Sequence, residues 1–308
     1  MTSEGAATSI TETATKRRWI AVAAMIGSAA CWGFATVMSR DLLSTMTSTS
    51  LLVIQLVASV ITLLCLAIPH MPWRYRSTGI TRAALIGILE PGLTYSIGLV
   101  GLSLTSAGSA SVISATEPIL IVLVAWLLLR QRPSLRLIGC IAVAVAGLLM
   151  VSGEALLEPE QASPLGDGLI VLATLFGASY VVLSSRVTAN FPAATLASAQ
   201  QIVGLIFAIG VFAIVQALGL ERQLFAQLSA STVAYAALSG VVQYALAFWL
   251  YLIGLRYLTP AAAGLWLTLV PVFGLFGAYV WLSEVPSFLM LAGASMIIVA
   301  VVMGKAEE

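Results

Sequence analysis

Charge is what this chain has least of. Only 9% of its residues are Asp, Glu, Lys or Arg, where soluble domains carry about a quarter, and that shortage excludes a water-soluble globular protein. Histidine occurs once, at His70, and no HExxH pattern is present, which excludes a histidine-built zinc site. The three cysteines, Cys31, Cys65 and Cys140, fall inside apolar stretches, which excludes a disulfide framework and predicts buried thiols. A Gly-rich phosphate loop with its Lys and Ser/Thr is missing, so ATP hydrolysis by the chain itself is not expected, and neither is any cofactor or metal. Basic residues are missing from the middle of every apolar stretch, which weighs against phosphorylated solutes, since those need a cationic clamp. No basic patch points to nucleic acid.

What is present is apolar: 60% of 308 residues. A helix needs ~20 apolar residues to cross a ~30 Å hydrocarbon core. Ten segments qualify, near 19–39, 51–68, 82–101, 107–129, 135–152, 166–185, 196–218, 231–255, 260–282 and 287–303. The predicted class is therefore an all-α integral membrane protein, with membrane lipid as an obligatory partner. The breaks carry Pro, Gly, Ser or charge, as in Pro69-His70-Met71-Pro72 and Arg130-Gln131-Arg132-Pro133.

An even number of spans puts both termini on one side, and basic residues indicate which. With the N-terminus inside, Lys16, Arg17, Arg18, Arg74, Arg76, Arg82, Arg130, Arg132, Arg136, Arg186, Arg256 and Lys305 fall on cytoplasmic segments, and only Arg40 and Arg222 fall outside. The longest outer loop is acidic, with Glu154, Glu158, Glu160 and Asp167. Lys16-Arg17-Arg18 before an apolar run imitates a signal peptide, and Ser28-Ala29-Ala30-Cys31 a lipoprotein site. Removing that helix would leave nine spans, so it is read as the first of them.

The chain also repeats itself. Tyr95–Pro118 lies over Phe248–Pro271 at an offset of 153 residues, matching Leu99/Leu252, Gly101/Gly254, Leu102/Leu255, Ala110/Ala263 and Pro118/Pro271. Upstream, Ala83-Ala84-Leu85 and Gly87 match Ala236-Ala237-Leu238 and Gly240. Downstream, Ala125/Ala278, Leu129/Leu282 and Pro133/Pro286 match. The first and sixth spans need another offset, which sets Ser39-Arg40 on Ser185-Arg186. Five spans is an odd number, so the second copy enters the membrane upside down, and such inverted repeats hold their solute near the midplane where the halves meet. The expected organisation is a disordered cytoplasmic tail over 1–15, a first five-helix repeat over 16–153, an outer linker over 154–165 and an inverted second repeat over 166–304.

Glu90 and Glu117 stand near the centre of the third and fourth spans. An uncompensated charge there costs ~2.5–3.5 kcal/mol, so an intramembrane acid faces a cavity or a partner. Glu90 falls on Gln243 in the repeat, whereas Glu117 falls on Val270, which makes the expected site asymmetric. Small residues one turn away, Gly87 and Thr94 beside Glu90, and Gly240 and Ala247 beside Gln243, complete a candidate cavity wall. The plain structural alternative is an acid hydrogen-bonded to a neighbouring Ser or Thr, with Pro91 and Pro118 only kinking their helices. Pro91, Pro118 and Pro271 are candidate hinges that also free backbone carbonyls. Among the deep aromatics, Trp32, Tyr95, Tyr180 and Trp266 are candidate solute contacts. Trp266 earns its place by lying one helical turn from Val270; packing is the alternative for all four.

Glu117-Pro118 through Ala125, Leu129 and Pro133 to Gly139 and Gly147, echoed by Pro271, Ala278, Leu282-Ser283-Glu284 and Gly293, resembles the paired EamA domains of the drug/metabolite transporter superfamily. The nearer likeness is to YddG-type bacterial amino-acid exporters. The resemblance implies ten helices with cytoplasmic termini in the bacterial inner membrane. It also implies a cavity lined mainly by spans one, three, four, six, eight and nine, peripheral spans five and ten, and export of aromatic and other neutral amino acids by alternating access. The acidic residue that follows the ninth span in this family matches Glu284, while Gln131 stands at the equivalent first-half position.

The expected function is a secondary or facilitative exporter of amino acids and related metabolites, with Glu90, Glu117 and Gln243 as polar contacts and a proton riding on either acid as the candidate coupling ion. An amino-acid carboxylate would rest on backbone amides or Ser/Thr hydroxyls, since no Arg is at hand. The rivals are an exporter of lipophilic cations and, from another class, an intramembrane enzyme using the two acids, which lacks a nucleophile with a neighbouring base. The oligomeric state stays unassigned, because lipid-facing and partner-facing apolar stripes look alike.

Overall fold

In lipid a backbone has no hydrogen-bond partner but itself, so apolar runs of this length fold as helices. The computed structural model describes residues 3–70, 79–105, 107–153, 163–221 and 228–304, and among them every regular element is helical. Arg74, Arg76, Arg222, Lys305 and the linker acids Glu154, Glu158 and Glu160 lie outside the described residues.

The first half comprises α1 (Ser3–Leu42), α2 (Ser48–Ala67), a third span built from α3 (Ile80–Ala84) and α4 (Thr94–Leu104), a fourth from α5 (Ala107–Ser114) and α6 (Glu117–Leu129), and α7 (Leu135–Val151). The second half follows the same plan. It comprises α8 (Pro164–Ser185), α9 (Ala193–Ala217), α10 (Ala230–Gly240) with α11 (Ala247–Leu255), α12 (Pro260–Leu267) with α13 (Val270–Leu282), and α14 (Phe288–Gly304). Eight of these stretches are long and apolar enough to cross a membrane. At 17 residues each, α7 and α14 are about 25 Å long and complete the ten.

Local chemistry sets the ends. Ser134, Ser163, Ser229 and Thr259 each accept a hydrogen bond from the backbone N–H three residues on, capping α7, α8, α10 and α12. Pro164 and Pro260 open their helices where a missing N–H costs nothing. The helix α1 reaches back to Ser3, where composition predicts a disordered tail over 1–15. No proline interrupts that stretch, so the membrane helix propagates backwards into it.

The 153-residue offset is visible in the helix bounds themselves. It carries α5 onto α12, α6 onto α13 and α7 onto α14, residue for residue. It also carries Arg130 (φ 54°) onto Ser283 (φ 55°), the two left-handed residues that close α6 and α13.

Packing between the halves is reciprocal. α1 lies against α11 and α13, as α8 lies against α4 and α6; α2 lies against α10, as α9 lies against α3; α2 meets α9, and α7 meets α14. Glycines permit the closest approaches. A Cβ on Gly87 would collide with the backbone of Gln200, and one on Gly240 with the backbone of Gln55, the same contact in both halves. Gly147 and Gly293 meet each other's carbonyls where α7 and α14 cross. The outer faces are apolar, with Ile61, Leu127, Leu135 and Phe288 exposed to what is lipid in the membrane. Of the cysteines, only Cys140 is buried; Cys65 sits on the outer face of α2 and Cys31 is half-buried, contrary to the expectation of three buried thiols.

Gly87→Ala and Gly240→Ala should each lower stability by about 1–3 kcal/mol through overpacking against backbone. Gly210→Ala, at a helical site with open space around it, should be neutral or stabilising by up to about 1 kcal/mol. Thermal unfolding in detergent micelles checks both.

Candidate functional site

Non-helical backbone at membrane depth is tolerated only where it is buried in protein or lines a cavity, so the helix breaks point to the site. The third span passes through a 3-10 turn (Leu85–Ile88) and a π turn (Leu89–Leu93), within which Glu90 is fully extended (φ −144°, ψ 126°). The eighth span carries a π turn at Val241–Leu246, around Gln243. The fourth and ninth spans stop and restart between Ser114 and Glu117 and between Leu267 and Val270, with Pro118 and Pro271 in the first turn of the helix that resumes.

These breaks enclose a cavity of about 390 Å³, toward the lower end of the ~300–1,000 Å³ typical of small-molecule sites. Ser114, Ala115, Glu117 and Pro118 line it from one half, and their repeat equivalents Leu267, Thr268, Val270 and Pro271 from the other. Glu90 and its equivalent Gln243 line it as well, so the pseudo-two-fold relation runs through the cavity. Trp32 and Thr36 of α1, Tyr95, Tyr180 and Val181 of α8, and Tyr251 of α11 complete most of the wall. Leu148 and Ser152, at the end of the fifth span, reach it too, although the resemblance placed that span at the periphery. None of the lining residues is basic.

The aromatic rings meet edge to face: Trp32 on Phe248 (5.0 Å between centroids), Trp32 on Tyr251 (5.5 Å), Tyr180 on Phe248 (5.7 Å) and Tyr95 on Tyr244 (5.2 Å). They form one apolar wall beside the two acids. Glu117 is seated by a glycine: a Cβ on Gly177 would lie 3.1 Å from its Oε1.

Six of the eight predicted contacts, Trp32, Glu90, Tyr95, Glu117, Tyr180 and Gln243, are brought together on this wall. Thr94 and Trp266 are not. The π turn rotates Thr94 away from the face it would share with Glu90 on a regular helix. Its hydroxyl donates instead to the carbonyls of Leu89 (2.9 Å) and Ala173 (3.3 Å). Trp266 is 4% exposed and packed in the core, because the break before Val270 interrupts the helical turn that would align the two. Thr36, Ser114, Ser152, Tyr251 and Thr268 were not singled out from the sequence. For Ser114 and Thr268 a signal existed, a break just before each of two repeat-matched prolines.

Two buried amides anchor the wall. Gln55, 3% exposed, donates through Nε2 to Ser239 Oγ and Ser39 Oγ, both at 2.9 Å, and Ser39 donates to Gln243 Oε1 at 2.9 Å. Gln200 donates to Ser184 Oγ (3.1 Å) and the Ala83 carbonyl (3.3 Å), while Tyr180 donates its hydroxyl proton to Gln200 Oε1 (3.0 Å). By contrast, Trp32 Nε1 and the Tyr251 hydroxyl are buried without a hydrogen-bond partner among the described residues. Tyr251→Phe should therefore leave the thermal stability of solute-free protein unchanged or raise it by up to about 1 kcal/mol. Tyr180→Phe, which strands Gln200 Oε1, should lower it by about 1–3 kcal/mol in the same melts.

At the ends of the molecule, repeat-equivalent arginines hold the last turns of the ninth and fourth spans. Arg40 pairs with Glu284 at 3.2 Å. Arg186 donates to the Leu128 carbonyl, in the half where Gln131 replaces the acid.

Comparison with known proteins agrees with this architecture. A solved crystal structure superposes with a TM-score of 0.76 over 93% of this chain and 96% of its own, at 15% identity, which shows a shared fold. Among curated proteins, the uncharacterized transporter YcxC of Bacillus subtilis (strain 168) is 28% identical over 121 residues, 39% of either chain. The uncharacterized transporter YetK of the same organism is 23% identical over 65% of this chain and 60% of its own. An uncharacterized transporter of Archaeoglobus fulgidus is 24% identical over 70% of this chain and 73% of its own. The matches thus span 39% and 60% of the two Bacillus proteins, in both cases less than two thirds. Residues 19–153 and 164–304 each match the EamA-like transporter family, so both halves, and with them nearly the whole chain, belong to it.

Proposed function

We propose that this protein is a secondary or facilitative exporter of amino acids, aromatic and other neutral ones, and of related metabolites, working by alternating access across the bacterial inner membrane. The observation that carries the reading is the cavity between the halves, which combines two carboxyl groups, an aromatic wall and no basic side chain among its lining residues. The acids suit an ammonium group, and the rings suit an apolar side chain and contribute cation–π attraction. The breaks at 115–116 and 268–269, next to Pro118 and Pro271, and the π turn holding Pro91 are the proposed hinges.

Orientation follows from the positive-inside rule. Helix order puts Arg82, Arg130, Arg132, Arg136, Arg186 and Arg256 at the end of the molecule that also holds the start of the first span, and Arg40 at the other. Both termini are accordingly cytoplasmic in this reading. The same acids support a second reading, export of lipophilic cations, which a hydrophobic cation competing with a labelled neutral amino acid would favour.

Uptake of an amino-acid panel into proteoliposomes, with and without an imposed pH gradient, tests the proposal. Glu90→Gln and Glu117→Gln should each slow transport at least about tenfold, the scale of losing a hydrogen bond to a charged group, and the double variant should approach background. Acceleration by a pH gradient in the parent but not in the double variant places a coupled proton on the acids. A double variant with unchanged rate and pH profile removes the acids from the mechanism.

A further inference from the structure

Glu90 and Gln243 occupy equivalent seats in the two halves, and the groups around Gln243 determine which way its amide points. Ser239 spends its single hydroxyl proton on the Ala236 carbonyl, at 2.8 Å. It can then only accept from Gln55, so the Gln55 atom 2.9 Å away must be the amide nitrogen. That nitrogen also donates to Ser39 Oγ. Ser39 accepts there with one lone pair and donates its own proton to the Gln243 amide oxygen at 2.9 Å. The Gln243 oxygen thereby accepts from Ser39, and its N–H side is turned toward the Tyr244 hydroxyl beside the cavity wall. Tyr244 lies 3.5 Å from Nε2, its ring edge-on to that of Tyr95 with 5.2 Å between centroids, and Tyr95 lines the cavity together with Glu90, Glu117 and Gln243. A tyrosine oxygen that accepts from the amide keeps its own O–H free to donate. Around Gln200, the second buried amide, the direction is reversed: Tyr180 gives its proton away to Gln200 and presents only its oxygen.

We propose that Ser39 and Gln55 are positioning residues that orient Gln243 as a hydrogen-bond donor, and that the cavity therefore selects solutes bearing an acceptor group, a carboxylate or carbonyl, beside an amino group. The proposal rests on the exporter reading and deepens it. Glu90 and Glu117 receive the amino group, and the amide of Gln243, with Tyr95, receives the acceptor that no arginine is present to bind. Glu90 and Gln243 thus divide the two ends of one solute between the halves.

Binding to purified protein in nanodiscs, read with four probes that share one aromatic body, tests it: L-phenylalanine, its methyl ester, its amide, and phenethylamine. The parent protein should bind the three acceptor-bearing probes at least about tenfold more tightly than phenethylamine. Ser39→Ala should cut that preference to about threefold or less by weakening only the acceptor-bearing probes, and Ser39→Thr should restore it. Gln243→Met should abolish the preference and Gln243→Glu should reverse it, so the test survives if Ser39→Ala melts. A parent without the preference, or a Ser39→Ala protein that keeps it or loses all four probes equally, overturns the proposal. Tight ester and amide binding without phenylalanine binding overturns the amino-acid reading and leaves the donor assignment standing. Binding of none of the four overturns both.

Discussion

Every backbone N–H and C=O at membrane depth must find a partner, because hydrocarbon offers none. That constraint explains both the regularity of this protein and the places where it fails. Over most of their length the spans are plain helices with apolar outer faces. The exceptions are few and clustered: the extended residue at Glu90, the π turn around Gln243, and the interruptions after Ser114 and Leu267. All four border the same cavity. Irregular backbone is therefore concentrated around the cavity, and the proposed hinges adjoin the proposed binding wall.

Bringing four broken helices to one place requires their neighbours to come unusually near. The crossings at Gly87 with Gln200 and Gly240 with Gln55 do this, and they fix the two glutamines whose amides then hold the cavity wall from behind. Small residues in lipid thus have a second effect beyond van der Waals contact. They let a buried amide from one half reach the other, Gln55 to the Ser239 hydroxyl and Gln200 to the Ala83 carbonyl.

The ten helices, their pairing into halves and the asymmetry between Glu90 and Gln243 were legible in the sequence, because hydropathy and a fixed offset report directly on length and equivalence. The orientation of individual side chains was legible only where the helix stays regular. Thr94 and Trp266 were placed by counting turns at 3.6 residues each, and both lie just beyond a break that the count does not register. Gln55 and Gln200 were missed for another reason. An amide inside an apolar span is a visible anomaly, yet each has a partner in a span remote in sequence, the Ser239 hydroxyl for Gln55 and the Ala83 carbonyl for Gln200. Only the packed structure shows whom it addresses.

Glutamate and glutamine have nearly the same shape, and here they fill matching seats of a duplicated scaffold. A swap between them leaves volume, depth and surrounding helices in place while exchanging an acceptor for a donor. The two halves can therefore diverge in chemistry without diverging in form. For a family built by duplication, that is a short route to new selectivity: the scaffold stays constant while the sense of its central dipole is rewritten one residue at a time.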